Sequence, residues 1–239
     1  MKKENTKQRI LIVVATAMEV QLIVEHRNSY VVGEVYPSKY EHTDILIAGI
    51  GIATTIFSTT KILLKHSYDY VINIGICGAY ARNLSLGEVV IVREDFFADQ
   101  LMEDGFQSTP WSKSSLAVQN DIYNSEGSIL STLTPDFLNL SKVRSITSDT
   151  IHANESTIKK LVDIYNPDIE SMEGVAVFFV TRKCEIPVIQ IRAISNYVEI
   201  RDKSKWEIGK ALIELHRVLD FVMQNKSSVF DSKPTKRCS

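Results

Sequence analysis

The sequence has few cysteines, and their positions exclude two kinds of stabilising site. Among 239 residues there are three, Cys77, Cys184 and Cys238, all far apart. An odd, scattered set fits neither a disulfide framework nor the paired ligand spacing of a zinc site. The five histidines show no ligand spacing either. We therefore predict a reducing, cytoplasmic environment and no metal site.

Excess positive charge and long apolar runs are also lacking. The formal net charge at pH 7 is -2, which provides no basic field for a polyanion, so nucleic acid is not an expected partner. The first apolar run, residues 10–15, is interrupted by Thr16 and Glu19 and is too short for a signal peptide or a membrane span. We expect no membrane association. Binding of a small anionic or neutral ligand remains compatible with this composition.

No internal repeat, low-complexity stretch or Pro/Gly-rich linker divides the chain. With 44% hydrophobic residues, its length suits one large domain with a buried core better than two small ones. We predict a single domain over residues 1–239 with an ordered core at about 10–224. The polar and basic tail after Asn225 is expected to fray.

Apolar runs alternate with segments of helical periodicity. Continuous β-branched and apolar runs predict strands buried in a mainly parallel sheet at residues 10–15, 44–50, 70–76, 88–92 and 188–194. Helical spacing predicts helices at 53–66, 155–165, 173–184 and 206–224. This alternation indicates an α/β layer fold. Residues 99–139 are polar and turn-rich, which predicts long surface loops.

Unusual polar and glycine residues cluster where these predicted strands end. Glu19 follows the first strand, Gly49-Ile-Gly51 the second, Gly75-Ile-Cys-Gly78 the third and Ser195-Asn196 the last. Ligands of α/β sheets bind at the carboxyl ends of the strands. The sequence therefore predicts a ligand site there. Gly49-Ile-Gly51 lacks the third glycine and the acidic residue of a dinucleotide fingerprint, so a nicotinamide cofactor is not expected.

Each of these residues alone also fits an ordinary structural role. Glu19 could cap a helix, and the two glycines around Cys77 could form a plain turn, with Cys77 as a packing residue. Arg192 interrupts an apolar strand and predicts a buried ion pair, with Glu19 as its candidate partner. His152 could be a general base or an ordinary surface histidine. Glu170 and Glu173 precede an apolar helix, where a buried carboxylate needs partners.

Taken in order along the chain, these segments resemble the nucleoside phosphorylase and hydrolase superfamily. They are ILIVVATAME, AGIG, NIGICGA, SDTIH, ESMEG and IRAISN. The resemblance extends from about Ile10 to beyond Leu219 and is weak over residues 99–140. It is strong toward the nucleosidases of methylthioadenosine and S-adenosylhomocysteine. It is strongest toward futalosine hydrolases, through TIHANE, ESMEG and SNYVEIRDKSKW.

The resemblance implies a fold, an assembly and an activity. The fold is a three-layer α/β/α sandwich around a mixed, partly barrel-like central sheet, and the assembly is a homodimer or higher homo-oligomer. The implied activity is hydrolysis of the N-glycosidic bond of a purine nucleoside, without a cofactor. A partner's segment near residues 99–106 is a candidate for completing the 5′ side of the substrate.

The resemblance also implies roles for individual residues. Glu19 falls at the carboxylate that activates water, with Arg192 supporting the water site. Glu173 falls at the carboxylate that binds the ribose 2′ and 3′ hydroxyls, and Met172 lies beneath the sugar. The other residues it assigns to the substrate pocket are Cys77, Gly78, Ile151 and His152, which border the base, together with Ile50 and Phe106.

Asn196 departs from the adenine-cleaving relatives, which have an aspartate after the serine of the last strand. A neutral amide can donate to the carbonyl oxygen of a 6-oxopurine. The sequence therefore favours hypoxanthine as the leaving base and futalosine as the substrate. The alternatives are a phosphorylase acting on inosine or guanosine, a methylthioadenosine/S-adenosylhomocysteine nucleosidase, and a catalytically silent nucleoside-binding or storage protein.

Overall fold

The computed structural model describes residues 8–21, 23–24, 29–104, 107–114 and 122–230. A main sheet contains nine of the strands in these residues, and a separate hairpin contains two. In chain order the strands are β1 (Ile10–Val14), β2 (Val35–Pro37), β3 (Thr43–Ile47), β4 (Tyr70–Ala79), β5 (Val89–Phe97), the hairpin of β6 (Leu101–Asp104) and β7 (Gln107–Pro110), β8 (Ile129–Leu130), β9 (Ser141–Thr147), β10 (Ile169–Ser171) and β11 (Val188–Tyr197). The helices are α1 (Ile52–Lys65), α2 (Glu155–Tyr165), α3 (Gly174–Lys183), α4 (Ile208–Gln224) and α5 (Lys226–Phe230).

The main sheet closes on itself over part of its width. Its order is β2-β3-β1-β4-β11-β5-β9-β10, with β8 paired to β5, and β10 pairs back with β4. Five strands, β4, β11, β5, β9 and β10, thus form a barrel. Pairing is parallel between β1 and β4 but antiparallel between β11 and β5 and between β10 and β4. The predicted mixed, partly barrel-like sheet is confirmed.

Helices cover both faces of this sheet, as the alternation of side chains in β1 illustrates. Ile10, Ile12 and Val14 pack in one core cluster with the apolar stripe of α4. Leu11 and Val13 point the other way, into a second cluster with side chains of α1 and α3. Successive strand residues face opposite sides. The wholly apolar sequence of β1 therefore reflects a strand buried between two helical layers, and the predicted three-layer sandwich is confirmed.

Two barrel strands are longer than the sequence predicts. The pairing of β11 with β4 continues to Tyr197 and Ala79 through an irregularity between Ile194 and Asn196. Gly75 and Gly78 therefore lie within β4, and Asn196 lies within β11, rather than in turns after these strands. Strand β9 was not predicted, because polar residues interrupt its apolar run; Thr147, for example, donates a hydrogen bond to Asp95 in the barrel interior.

The end of the described chain is ordered beyond the predicted boundary. Residues Lys226–Phe230 form α5, in which Val229 and Phe230 are buried. The Phe230 ring stacks on that of Tyr70, with 4.1 Å between ring centroids. The prediction that the chain frays directly after Asn225 is therefore wrong for residues 226–230, and residues 231–239 lie outside the described part. None of the helices in the described residues has the length and hydropathy of a membrane span.

Candidate functional site

A cavity of about 240 Å³ lies at the carboxyl ends of the parallel strands. Its walls come from the segments after β1 and β3, from the ends of β4, β10 and β11, and from the loop before α2. The structure brings most of the predicted site residues together here, although they are far apart in sequence. The predicted residues that line this cavity are Glu19, Ile50, Cys77, Gly78, Ile151, Met172, Glu173 and Asn196.

Glu19 is positioned by the turn that follows β1. A short 3-10 turn begins after Thr16, and the two residues form a capping box. Glu19 Oε2 accepts hydrogen bonds from the Thr16 backbone at 2.9 Å and from Thr16 Oγ1 at 2.5 Å. No hydrogen bond from a described residue ends on Oε1. The predicted capping role is thus present, and it uses one carboxylate oxygen of a side chain that is only 6% exposed.

Glu173 lies between β10 and the buried helix α3. Its Oε1 accepts a hydrogen bond of 3.1 Å from the backbone of Gly51, at the start of α1. Burial raises the pKa of Glu173 above its ordinary value, and the negative charge of Glu19 raises it further. The positive charge of Arg192 and the Gly51 hydrogen bond act in the opposite direction. The two carboxylates and the guanidinium therefore form one electrostatic group.

Arg192 lies beneath the cavity and does not form the predicted ion pair. It is 1% exposed, and its Nη2 donates to Asn73 Oδ1 at 2.6 Å. Within the described residues it has no carboxylate partner within 4.0 Å, so the predicted Glu19 contact is wrong. A side chain on Gly75 would place its Cβ 2.7 Å from Arg192 Nη1 and 4.0 Å from Glu19 Oε1. Glycine at this position therefore lets the guanidinium lie against β4, below the carboxylate.

The amide of Asn196 has a defined orientation. Its Nδ2 donates to the Tyr197 carbonyl oxygen at 3.1 Å, and its Oδ1 accepts from Ser195 Oγ at 2.8 Å. A reversed amide would set its oxygen against the Tyr197 carbonyl oxygen, so this contact favours the assignment, whereas the single Ser195 proton is shared between Asn196 Oδ1 and the Cys77 carbonyl oxygen. Each end keeps the capacity for one more hydrogen bond. A Cβ on Gly78 would lie 3.2 Å from Nδ2, so the glycine keeps that side of the amide open.

His152 is buried, contrary to its interpretation as a surface residue. Its Nδ1 lies 2.9 Å from Glu170 Oε2, which also accepts a 2.7 Å hydrogen bond from Tyr80 Oη. Glu170 lines the 240 Å³ cavity, whereas His152 lines an adjoining one of about 340 Å³. The two cavities share Ile151, Asn196 and Trp206 as walls. His152 therefore lies in the wall of the cavity that adjoins the one lined by the other residues predicted to border the base.

Cys77 fits packing better than nucleophilic chemistry. The side chain is buried at the end of β4, and its Sγ lies 3.6 Å from the Ala193 carbonyl oxygen. Burial raises the pKa of the Cys77 thiol to about 12. A nucleophilic cysteine needs a thiolate, so Cys77 lines the cavity as a small thiol.

The predicted 5′-side segment is described only in part, and one residue that lines the cavities was not predicted. Phe106 lies outside the described residues, and Asp99, at the start of the same segment, accepts hydrogen bonds from Ser148 and from the Asp149 backbone of its own chain. Trp206 lines both cavities but was not singled out. An aromatic residue at the end of the polar stretch after Asn196 was the available indication. Across the described ranges, no cluster of three potential ligands suits a metal ion.

Comparison with known proteins defines the family. The model of the phosphorylase superfamily matches residues 9–221. A futalosine hydrolase of Thermus thermophilus is 26% identical over 177 residues, covering 73% of this chain and 78% of that protein. A 5′-methylthioadenosine/S-adenosylhomocysteine nucleosidase of Bacillus subtilis is 26% identical over 172 residues, covering 68% and 72%.

The fold agrees with this assignment. The crystal structure of a 5′-methylthioadenosine/S-adenosylhomocysteine nucleosidase from Colwellia psychrerythraea, in complex with adenine, superposes with a TM-score of 0.71 at 17% identity. The match covers 97% of this chain and 98% of that one. The sequence match and the shared architecture lead to one conclusion: this chain belongs to the phosphorylase superfamily.

Proposed function

We propose that this chain hydrolyses the N-glycosidic bond of a purine nucleoside, and that its substrate is futalosine, a menaquinone precursor, which it converts to hypoxanthine and dehypoxanthine futalosine. The observation that carries the proposal is the meeting of Glu19, Glu173 and Asn196 around one cavity. The named activities of the two sequence relatives support the reaction type. The substrate assignment rests on Asn196.

Cleavage of an N-ribosyl bond passes through an oxocarbenium-like sugar, so a site for this reaction must stabilise positive charge. Glu173 is our candidate for that task. As a carboxylate it would accept hydrogen bonds from the ribose 2′ and 3′ hydroxyls, with Met172 beneath the sugar. The Gly51 amide and the charge of Arg192 favour the ionised form of Glu173 against its burial.

Glu19 is our candidate for the general base. One of its oxygens is fixed by Thr16, which leaves Oε1 to take a proton from the attacking water. General base catalysis of this kind contributes about 10²–10⁴ in rate. Arg192, below both carboxylates, holds positive charge that keeps two acidic groups compatible in one small site.

Asn196 is our candidate for recognition of the base. With Oδ1 turned toward Ser195, the free Nδ2 hydrogen can donate to the 6-oxo group of hypoxanthine. A donor to developing negative charge is worth about 3 kcal/mol in transition-state stabilisation. A 6-amino group at the same place would bring two hydrogen-bond donors together, the amino group of the base and the Nδ2 of Asn196. This argument favours futalosine over methylthioadenosine, although the second relative is named for the latter.

Water fits the site better than phosphate as the nucleophile. Phosphate needs fixed cations or a nest of backbone amides. No lysine or arginine is among the described residues that line the cavity, and Arg93 is half exposed and pairs with Glu94. The chain is therefore proposed to act as a hydrolase rather than as a phosphorylase on inosine or guanosine.

We propose that the single-domain chain acts in the cytoplasm as a homo-oligomer whose second copy covers the apolar surface of α1. Phe57 and Leu64 on this helix are 70% and 78% exposed, and Ile50, which lines the cavity, is 59% exposed. Ile50 lies just before α1, so exposed apolar side chains occur both on this helix and in the wall of the cavity. Large exposed apolar patches mark association surfaces. A monomer in sedimentation experiments would contradict this assembly.

The proposed function is tested by product analysis with a panel of nucleosides. Purified protein is incubated with futalosine, inosine, guanosine and methylthioadenosine, each with and without phosphate, and products are separated by chromatography. We expect hypoxanthine from futalosine at a rate independent of phosphate. Ribose 1-phosphate products would identify a phosphorylase, faster cleavage of methylthioadenosine would overturn the substrate assignment, and recovery of intact nucleoside would indicate a binding protein.

A further inference from the structure

The polar cluster of His152, Glu170 and Tyr80 has no role in the mechanism described above. We propose that His152, held by Glu170, is the general acid that protonates the leaving purine. This inference rests on the proposed function and deepens it. A neutral amide at position 196 cannot give up a proton at useful pH, so the reaction needs another proton donor.

The geometry of the cluster suits a proton donor. The side chain of His152 is 5% exposed and that of Glu170 is 11% exposed, and the two are 2.9 Å apart. Glu170 Oε2 accepts from Tyr80 Oη as well, so the carboxylate faces two donors. Because a carboxylate can only accept hydrogen bonds, this arrangement requires a proton on His152 Nδ1. In the doubly protonated ring that the proposal invokes, Nε2 carries the proton to be transferred.

The cluster lies beside the proposed base site. A Cβ on Gly78 would be 3.5 Å from Glu170 Cγ and 3.2 Å from Asn196 Nδ2, so these two side chains flank the same glycine. His152 shares the walls of the 340 Å³ cavity with Asn196. A purine edge that contacts Asn196 would therefore face a cavity whose wall includes His152. The other titratable and charged residues that line this cavity are Tyr197, Glu199, Arg201, Asp202 and Lys205.

The proton balance of the step closes without a further reactant. The C1′–N9 bond breaks and its electron pair stays with the purine. The His152 Nε2 proton moves to N7, directly or through one bridging water, while the oxygen of the attacking water bonds to C1′ and its proton goes to Glu19. Glu19 then releases a proton to solvent and His152 regains one. The net reaction is hydrolysis.

The test compares His152→Asn with the wild type on two kinds of leaving group. On futalosine or inosine, we expect the variant to lose at least about 100-fold in kcat, the low end of general acid catalysis. On 7-methylinosine, whose cationic base leaves without being protonated, we expect a change of less than about threefold. Equal losses on both substrates would show a structural role and overturn the proposal.

The pH dependence of kcat on inosine gives an independent readout. A general acid acts only in its protonated form, so wild-type kcat should fall at high pH and His152→Asn should lack this alkaline limb. An unchanged limb in His152→Asn refutes the acid role, even if 7-methylinosine proves not to be a substrate.

Two controls complete the design. His66→Asn changes an exposed histidine at the end of α1 and should leave both substrates and the pH profile unaltered. Tyr80→Phe removes one donor to Glu170 but keeps the His152 contact, so its loss in kcat should be less than tenfold. If the wild type cleaves no purine nucleoside, the proposed function fails. If it cleaves them and His152→Asn keeps the same substrate ratio, only the acid assignment fails.

Discussion

Two polar clusters near Arg192 differ in how fully their carboxylates are hydrogen-bonded. In the barrel interior, Asp95 accepts from Thr147 and from Gln190, at 3.0 Å for the shortest contact to each. At the cavity, Glu19 and Asn196 each use only part of their hydrogen-bonding capacity. Buried polar groups that satisfy one another specify a fold. Groups that keep a free position toward a cavity are available for chemistry.

The positive charge of Arg192 acts on carboxylates in both clusters. Its charge lowers the pKa of Asp95 and that of Glu173, against the larger effect of burial on each. Its Nε has no hydrogen-bond partner among the described residues. One buried cation therefore serves both a structural carboxylate and two candidate catalytic ones. The comparison predicts that substitutions at the cavity change turnover with little change in stability, and that substitutions in the interior do the reverse.

The largest effect is expected for Glu19→Gln. The amide cannot take a proton from water, so kcat on futalosine should fall about 10²–10⁴-fold, while nucleoside binding measured by calorimetry changes little. Glu155→Gln, at an exposed position in the first turn of α2, is the matched control and should retain wild-type turnover. Unchanged kcat in Glu19→Gln would remove this residue from the mechanism and place it with the structural cluster.

A smaller effect is expected for Asn196→Asp. A carboxylate here would face the Tyr197 carbonyl oxygen and no longer donate to a 6-oxo group, whereas a protonated one could serve adenine. An unpaired buried polar group costs about 1–3 kcal/mol, so the ratio of kcat/KM for inosine over methylthioadenosine should fall about 5- to 150-fold. A wild type that already prefers methylthioadenosine to inosine and futalosine would refute the argument from Asn196.

The sequence predicted the parts of this site that depend on strand ends. The segments after β1, β3 and β10 carry Glu19, Ile50 and Glu173, and parallel strands bring such segments to one edge. Helix α2 was predicted to the residue from its helical spacing, and in the structure the Asn154 side chain caps its first turn. Patterns of this kind lie within one short segment of the chain and can be recognised from the sequence alone.

The closure of the barrel could not be predicted from such local sequence patterns. The contact between Tyr80 and Glu170 depends on β10 pairing antiparallel with the end of β4, and no local sequence pattern predicts that pairing. Arg192 donates a hydrogen bond to Asn73 because β11 lies beside β4. Its partner is therefore a residue on the neighbouring strand and not the predicted Glu19. A polar residue in an apolar strand indicates a partner but does not identify it.

The smallest effect in the series concerns stability rather than turnover, and it tests the interior cluster. Burial raises the pKa of Asp95 to about 6 from an ordinary value of 3.8. Between these values the folded protein binds more protons than the unfolded chain, so this group makes stability fall as pH rises from about 4 to 6. Each pKa unit corresponds to about 1.4 kcal/mol, which gives a total of at most about 3 kcal/mol.

Asp95→Asn removes this titration while keeping an oxygen that accepts from Gln190. Urea unfolding of both proteins at pH 4 and pH 7.5 should show similar stabilities at the lower pH and a gain for the variant, relative to the wild type, of about 2–3 kcal/mol at the higher one. Asp104→Asn, at an exposed position in β6, should show no such change. A difference between Asp95→Asn and the wild type that is the same at both pH values would mean that the buried carboxylate is not neutralised in the folded protein. The interior cluster would then hold a permanent charge, and Arg192 would be its counter-ion.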